Sequence, residues 1–213
     1  MNPSDLTTWC DRLEQALADG LPGKAAQGLM APVPRRSELL PGQEARQRGS
    51  VLLLLYGRAD GLCLPVTRRS EQVAYHKGQI SLPGGAWEPM DSSLAATALR
   101  EAWEELGVEP EQVRLLGKLT PLYVVASGYC VHPYVACCPA VPVFSPSPVE
   151  VAEVIELPVR LLFDPAARAE EYRQLHGEQV LVPFYQVGEH KIWGATAMIL
   201  SEFAALLAGL PHR

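Results

Sequence analysis

A layered α/β or α+β domain is the fold class this sequence of 213 residues predicts, and three observations predict it. Short apolar runs with strand character, "SVLLLLYG" from Ser50 and "GLCLPVTRR" from Gly61, lie close together in the chain. Apolar residues at helical spacing recur near its start, in its middle and at its end. The composition, 48% apolar and 20% charged, is that of a globular protein able to bury a sizeable core.

The first element reads as a helix from about Asp5 to Ala18, because Leu6, Trp9, Leu13 and Leu17 fall on one face and Ser4 can cap it. Gly20, Pro22 and Gly23 end it, and Pro32, Pro34 and Pro41 mark the stretch up to Gly49 as an irregular connection. The runs from Ser50 and Gly61 are separated by "RADG", whose Asp60-Gly61 predicts a β-hairpin. A helix is expected from about Ser93 to Leu106, with Asp91, Ser92 or Ser93 as its cap. Strands follow around Val113–Leu119, Tyr134–Cys138 and Val151–Leu157. The tract "PAVPVFSPSPVE" predicts a surface loop of the kind that carries substrate contacts, and a short helix or turn begins near Pro158. At the end, "VPFYQV" and "HKIWGATAMILSEFAALLAGL" read as a strand and a terminal amphipathic helix that docks Ile199, Phe203 and Leu206 on a sheet.

Charge and motifs exclude several functions. A net charge of −6 argues against a general nucleic-acid binder, whose footprint is a surplus of lysine and arginine. The N-terminus lacks a basic start followed by an apolar stretch, so no secretory leader is expected, and "VLLLLY" is far short of the ~20 apolar residues that span a bilayer. A soluble, cytoplasmic protein without a membrane partner is the expectation. The five cysteines form no CxxC pair and no zinc-like spacing, which favours buried thiols. Neither a GxxxxGK[ST] loop nor a GxGxxG fingerprint nor an HExxH pair is present.

The informative stretch is "LREAWEELG", from Leu99 to Gly107. On a helical wheel turning roughly 100° per residue, Leu99, Trp103 and Leu106 form a stripe with Ala95 and Ala102, and this stripe is expected to face the core. Glu101, Glu104 and Glu105 then share the opposite face. Three negative charges near a helix carboxyl end repel one another and oppose the backbone dipole. A divalent cation held by several carboxylate oxygens reverses that penalty. Arg100 stands four residues before Glu104, placed to pair with it or to orient the cluster. Upstream, Gly84 and Gly85 can bend tightly and approach a ligand. A glycine turn feeding an acid-faced helix is a candidate phosphate and metal site.

These residues resemble the Nudix box, a glycine followed by Glu and then Arg-Glu-apolar-any-Glu-Glu-any-Gly-apolar. The second half is matched by Arg100, Glu101, Ala102, Trp103, Glu104, Glu105, Leu106, Gly107 and Val108. The first half has Asp91 in place of Glu, and eight residues instead of seven before Arg100. That departure is similar to the coenzyme A pyrophosphatase branch of the Nudix hydrolases. So is "VTRRSEQVAYHKGQISLPGG", with Arg69, Ser70, His76, Gly78, Gln79, Pro83, Gly84 and Gly85 in matching places. "SGYCVHPYV", "PVEVAEVIELPV" and "IWGATAMIL" continue the likeness, which covers nearly all of Gly49 to Leu207. The branch often has basic residues where this chain has Ala74 and Tyr75, and Phe where Leu82 stands.

The resemblance implies an α/β/α sandwich with a mixed sheet over residues 49–213, preceded by an N-terminal helical extension and connection over 1–48. It implies metal-dependent hydrolysis of a nucleoside diphosphate linkage, with Mg²⁺ or Mn²⁺ held by Glu101, Glu104 and Glu105. The substrate class it points to is coenzyme A or its thioesters, giving adenosine 3′,5′-bisphosphate and (acyl-)4′-phosphopantetheine. Other Nudix substrates stay open: ADP-ribose, a dinucleotide or a nucleoside triphosphate. So does a non-catalytic nucleotide-binding module. Glu150 and Glu153, beside a helix glutamate, are the candidate general bases, and Arg69, His76, Gln79, Gly84 and Gly85 the candidate substrate contacts. A homodimer is compatible with the sequence.

Overall fold

The computed structural model describes residues 3–35, 47–71, 78–175 and 177–210. Helix α1 (Pro3–Asp19) and the short α2 (Gly23–Gly28) come first. Strands β1 (Gln47–Arg58), β2 (Gly61–Arg69), β3 (Ile80–Ser81) and β4 (Gly84–Ala86) lead into α3 (Leu94–Leu106). Then follow β5 (Arg114–Lys118), β6 (Leu122–Val124), β7 (Tyr129–Cys137) and β8 (Val151–Pro158). Last come β9 (Arg168–Leu175), β10 (Glu178–Val187), β11 (His190–Trp193) and α4 (Gly194–Ala208).

The Asp60-Gly61 turn closes the expected hairpin, with Arg58 opposite Gly61 and Tyr56 opposite Cys63. Around it grows an eight-stranded sheet with the path β3-β2-β1-β7-β5, to which β4, β6 and β8 add through β1, β7 and β2. Among the described residues only the β1–β7 pair within it is parallel, so the sheet is mixed. Strand β1 is buried on both faces, which explains its continuous apolar run. Leu52, Leu54 and Tyr56 pack under α3, against Ala98, Ala102 and Leu106. Leu53 and Leu55 face the other way, into a larger core with α1, α4 and the sheet β11-β10-β9.

Several sequence expectations need correction. The first helix starts at Pro3, one residue ahead of the expected cap Ser4. The connection after it holds α2, and Val33 bridges Leu181; residues 36–46 lie outside the described set. Strand β7 reaches back to Tyr129, because its first residues pair with Gln47 to Ser50 of β1. Strand β9, polar on both faces, escapes periodicity and is held by its pairing with β10. Helix α4 is not amphipathic but buried almost all round, from Ala197 to Ala204. Its Glu202 is fully buried: Oε1 accepts from the Gly23 and Thr120 backbone N–H groups, both at 3.2 Å, and Oε2 from Gln27 Nε2 at 2.8 Å. These bonds fasten α2 and the β5–β6 loop to α4. Cys10, Cys63, Cys137 and Cys138 are buried and Cys130 half-buried, all as free thiols. Among the described residues no helix is long and apolar enough to cross a membrane.

Candidate active site

Helix α3 is set in place at both ends. Ser93 is its cap, Oγ accepting from Ala96 N at 3.1 Å, and Gly107 ends it in the left-handed conformation at φ 71°. The proline-rich loop folds back onto its carboxyl end, where Ser145 N donates to Leu106 O and Ser147 N to Glu105 O. Asp91 is not the cap. Its carboxylate accepts from Arg100 Nε at 2.9 Å and Nη2 at 3.0 Å, from Thr97 Oγ1 at 2.9 Å and from Glu88 N at 3.0 Å. The Arg100 guanidinium beside it holds that carboxyl well below the usual range.

Arg100 is the hub of the site. Besides Asp91 it donates from Nη1 to Glu101 at 3.0 Å and Glu104 at 2.9 Å, and from Nη2 to Ala86 O at 3.0 Å. One side chain thus joins the glycine turn, the start of α3 and two of its three glutamates, with its own charge firmly held by Asp91 and those neighbours.

The expected core stripe is rotated. Trp103 is 47% exposed and bonds Glu109 at the surface, and Leu99 is half-buried, whereas Glu105 is only 1% exposed. The buried face is Thr97, Ala98, Ala102, Glu105 and Leu106. Two of the glutamates therefore lie toward the sheet, because the strand packed there is glycine. A Cβ on Gly85 would collide with the Glu101 carboxylate, and one on Gly84 with the Ser50 carbonyl. Helix α3 crowds against β4 where no side chain intervenes, and the carboxylates occupy that space.

Glu105 is the most strained group there. Its Oε2 is buried with no hydrogen-bond partner, and Oε1 stands 3.7 Å from Arg69 Nη1, too far for a hydrogen bond. Burial first, and then the charges of Glu101 and Glu150, push its carboxyl up to about 8 against the opposing pull of Arg69. Burial also raises Glu101, with Glu104 and Glu150 adding to it. Glu101, Glu104, Glu105 and Glu150 thus form one acidic group. Glu150 joins because its carbonyl accepts from Ser70 N at 2.8 Å, next to Arg69.

Other candidates lie elsewhere. Glu153 is a correction: it bonds Arg68 Nε at 3.1 Å and stands 3.4 Å from His190, on the sheet face away from α3. Strand alternation explains this, since Arg68 points with Leu64 and Val66, and Arg69 points toward Glu105. Gln79 accepts the Arg69 N–H with its backbone carbonyl. His76 lies outside the described residues. Missing from the candidate set were Asp91, whose signal was its place in the box, and the serines 145 and 147 of the loop, which carried none.

A family model of the NUDIX domain matches residues 46–176. The chain belongs to the Nudix hydrolase family. A Photorhabdus laumondii protein described as "Uncharacterized Nudix hydrolase NudL" is 39% identical over 145 residues, covering 66% of this chain and 75% of its own. One of the same description from Pectobacterium atrosepticum is 36% identical over 179 residues, covering 81% and 88%. Among solved structures, a Nudix hydrolase from M. smegmatis, RenU, superposes with TM-score 0.55 at 15% identity over 80% of this chain and 91% of that one. A C. elegans Ap4A hydrolase binary complex gives TM-score 0.52 at 17% identity over 76% and 98%. These two share the α+β fold of this Nudix hydrolase. The family hydrolyses pyrophosphate linkages in small nucleotide substrates and generally uses a divalent cation such as Mg²⁺ or Mn²⁺.

Among the described residues no three Asp, Glu, His or Cys side chains are already grouped as ligands, since Arg100 takes Glu101 and Glu104. The chemistry nevertheless fits: hard carboxylate oxygens, one of them a buried orphan on Glu105, gather beside a turn that has no Cβ.

Proposed function

We propose that this Nudix hydrolase cleaves the diphosphate of coenzyme A or its thioesters, releasing adenosine 3′,5′-bisphosphate and (acyl-)4′-phosphopantetheine. The observation that carries the diphosphatase reading is the unpartnered Glu105 oxygen buried beside Glu101 and the Gly84–Gly85 turn. A buried carboxylate left unpaired costs several kcal/mol on general grounds, about as much as a cation would recover. The coenzyme A specificity is supported by the upstream motif from Val66 to Gly85 and by the extra residue before Arg100.

Glu101, Glu104 and Glu105 would hold Mg²⁺ or Mn²⁺, which supplies charge neutralisation of the diphosphate and a more acidic water. Arg100 orients Glu101 and Glu104 through Nη1 and is itself fixed by Asp91. Gly84 and Gly85 let the backbone approach the diphosphate. Glu150, in electrostatic reach of Glu101 and Glu105, is the base candidate that shares the site; it would take the proton of the attacking water. Arg69, beside Glu105, would meet the substrate's negative charge. The retained glutamates argue against a module that binds without turnover.

The test is product analysis with coenzyme A, acetyl-coenzyme A and ADP-ribose in Mg²⁺ and in Mn²⁺. Adenosine 3′,5′-bisphosphate as the product formed with the highest kcat/KM is the expected result. A higher kcat/KM on ADP-ribose overturns the specificity, and absence of turnover on all three overturns the diphosphatase reading for these substrates.

A further inference from the structure

Beside the acidic group, the same face of the sheet carries a second set of charges with the opposite sign. In β1, Leu52, Leu54 and Tyr56 point to α3, so by alternation Ser50 and Arg48 point the same way. In β7, Tyr134 and Ala136 join that core, which puts His132 on the same face. Lys118 of β5 lies opposite Tyr134 and shares its side. Arg48, opposite Cys130, and Lys118, opposite Tyr134, are thus the diagonal neighbours of His132 on its two sides, each about 7–8 Å away between Cα atoms, and after burial their charges lower the imidazole pKa.

Two features distinguish this patch in a chain of net charge −6. Arg48 and Lys118 are exposed and have no carboxylate partner among the described residues, unlike Arg68, Arg100, Arg114 and Arg160, which all do. Arg48 is instead held by an aromatic ring, its guanidinium 5.2 Å from the centre of the half-exposed Trp87 just after β4. That contact leaves its N–H edge available while fixing its position.

The register supplies a distance. Gly85, which abuts Glu101, pairs with Ser50 of β1, and Ser50 pairs with His132 of β7 on its other side, its Oγ donating to His132 O at 2.9 Å. Two strand spacings, about 10 Å, therefore separate the acidic group from His132, the middle of the basic set, with Arg48 one strand nearer on β1 and Lys118 one strand farther on β5. This exceeds the span of a single diphosphate and suits a further phosphate on the same substrate.

We propose that Arg48, Lys118 and His132 form an anion subsite that receives a second phosphate of the nucleotide substrate, about two strands from the diphosphate under attack. It rests on the diphosphatase reading above and adds a specificity determinant to it. The phosphate can be a monoester on the ribose, as in coenzyme A, or the continuation of a polyphosphate chain. Both present anionic phosphoryl oxygens, two charges on the monoester and one on each internal group of a chain, to a guanidinium, an ammonium and an imidazole.

The experiment compares kcat/KM for coenzyme A against 3′-dephospho-coenzyme A, and for diadenosine tetraphosphate against the diphosphate, in the wild type and in Arg48→Ala/Lys118→Ala. Melting temperatures report that the exposed positions leave the fold intact. Losing two charged contacts should reduce one of these preferences about tenfold or more. Collapse of the first ratio identifies a ribose phosphate, and collapse of the second a polyphosphate chain. A wild type without either preference, or a variant that keeps both, overturns the proposal. Calorimetry with adenosine 3′,5′-bisphosphate and with AMP separates this result from failure of the diphosphatase reading. In a protein that hydrolyses none of the four substrates, tighter wild-type binding of the bisphosphate that is lost in the variant supports the subsite, and equal binding of the two overturns it.

Discussion

Two buried glutamates, Glu105 on α3 and Glu202 on α4, face opposite fates in the same molecule. Glu202 is fully buried, and both its oxygens accept hydrogen bonds from Gly23, Thr120 and Gln27. Glu105 is as deeply buried, yet Oε2 has no partner and its neighbours include two more carboxylates. Folding can accommodate a buried charge when backbone donors surround it, and Glu202 uses that solution to fasten α2 to α4. Where one oxygen is left without a donor and like charges are gathered, the arrangement suits an external cation. The contrast separates a carboxylate that belongs to the scaffold from one we propose for the chemistry.

The strongest way to break the comparison is to neutralise Glu105. Glu105→Gln should reduce metal-dependent kcat by roughly 100-fold or more, since cation stabilisation of the transition state is worth several kcal/mol. Its metal-free melting temperature should hold or rise, because the amide removes the cost of keeping a buried carboxyl protonated that the unfolded chain would ionise. Saturating Mn²⁺ should stabilise the wild type by about 2.7 kcal/mol at a hundredfold excess over Kd, and the variant less. A wild-type melting temperature indifferent to metal would count against the site.

The complementary change, Glu202→Ala, should act on stability instead. It leaves three donors without their acceptor in the interior, a loss of about 2–4 kcal/mol measurable by urea denaturation. Turnover per folded molecule should stay close to wild type. A large loss of turnover at unchanged stability would blur the division between the two glutamates.

Titration sharpens the contrast through opposite signs. With its folded pKa up at about 8, Glu105 keeps a proton that the unfolded chain releases near ~4.3, so metal-free wild type loses stability relative to Glu105→Gln as pH rises between those values. Asp91, depressed by Arg100, behaves in reverse. Its stabilisation is present above the unfolded pKa of ~3.9 and disappears as pH falls through the lower folded value, so the deficit of Asp91→Asn should close in acid. Denaturation midpoints across pH measure both.

The smallest effect concerns Trp103. A tryptophan in a core stripe would cost ~3–5 kcal/mol on truncation to Ala. At 47% exposure, with a surface bond to Glu109, Trp103→Ala should cost about 1 kcal/mol or less. A core-sized loss by urea denaturation would restore the original orientation of α3.

Local chemistry made much of the molecule legible in the sequence. Asp60-Gly61 announced the hairpin, the β1 run its burial, and the order of Gly84, Gly85, Arg100 and three glutamates pointed to the candidate site. Strand β9 and helix α2 carried too little periodicity to be read, being held by β10 and by Glu202 from across the chain. The rotation of α3 was equally hidden. A helical wheel ranks faces by their own apolarity, and cannot show that the strand underneath lacks side chains.

What the sequence determined by itself is therefore the family, the layered α+β class and the set of carboxylates on one helix. Only the tertiary structure decided which carboxylates are buried, that Glu150 joins them while Glu153 turns away, and that Arg48, Lys118 and His132 meet on one face. The reason is that burial and electrostatic proximity depend on strand register and on packing between residues distant in sequence. Both are set by the whole sheet and not by any window of the chain.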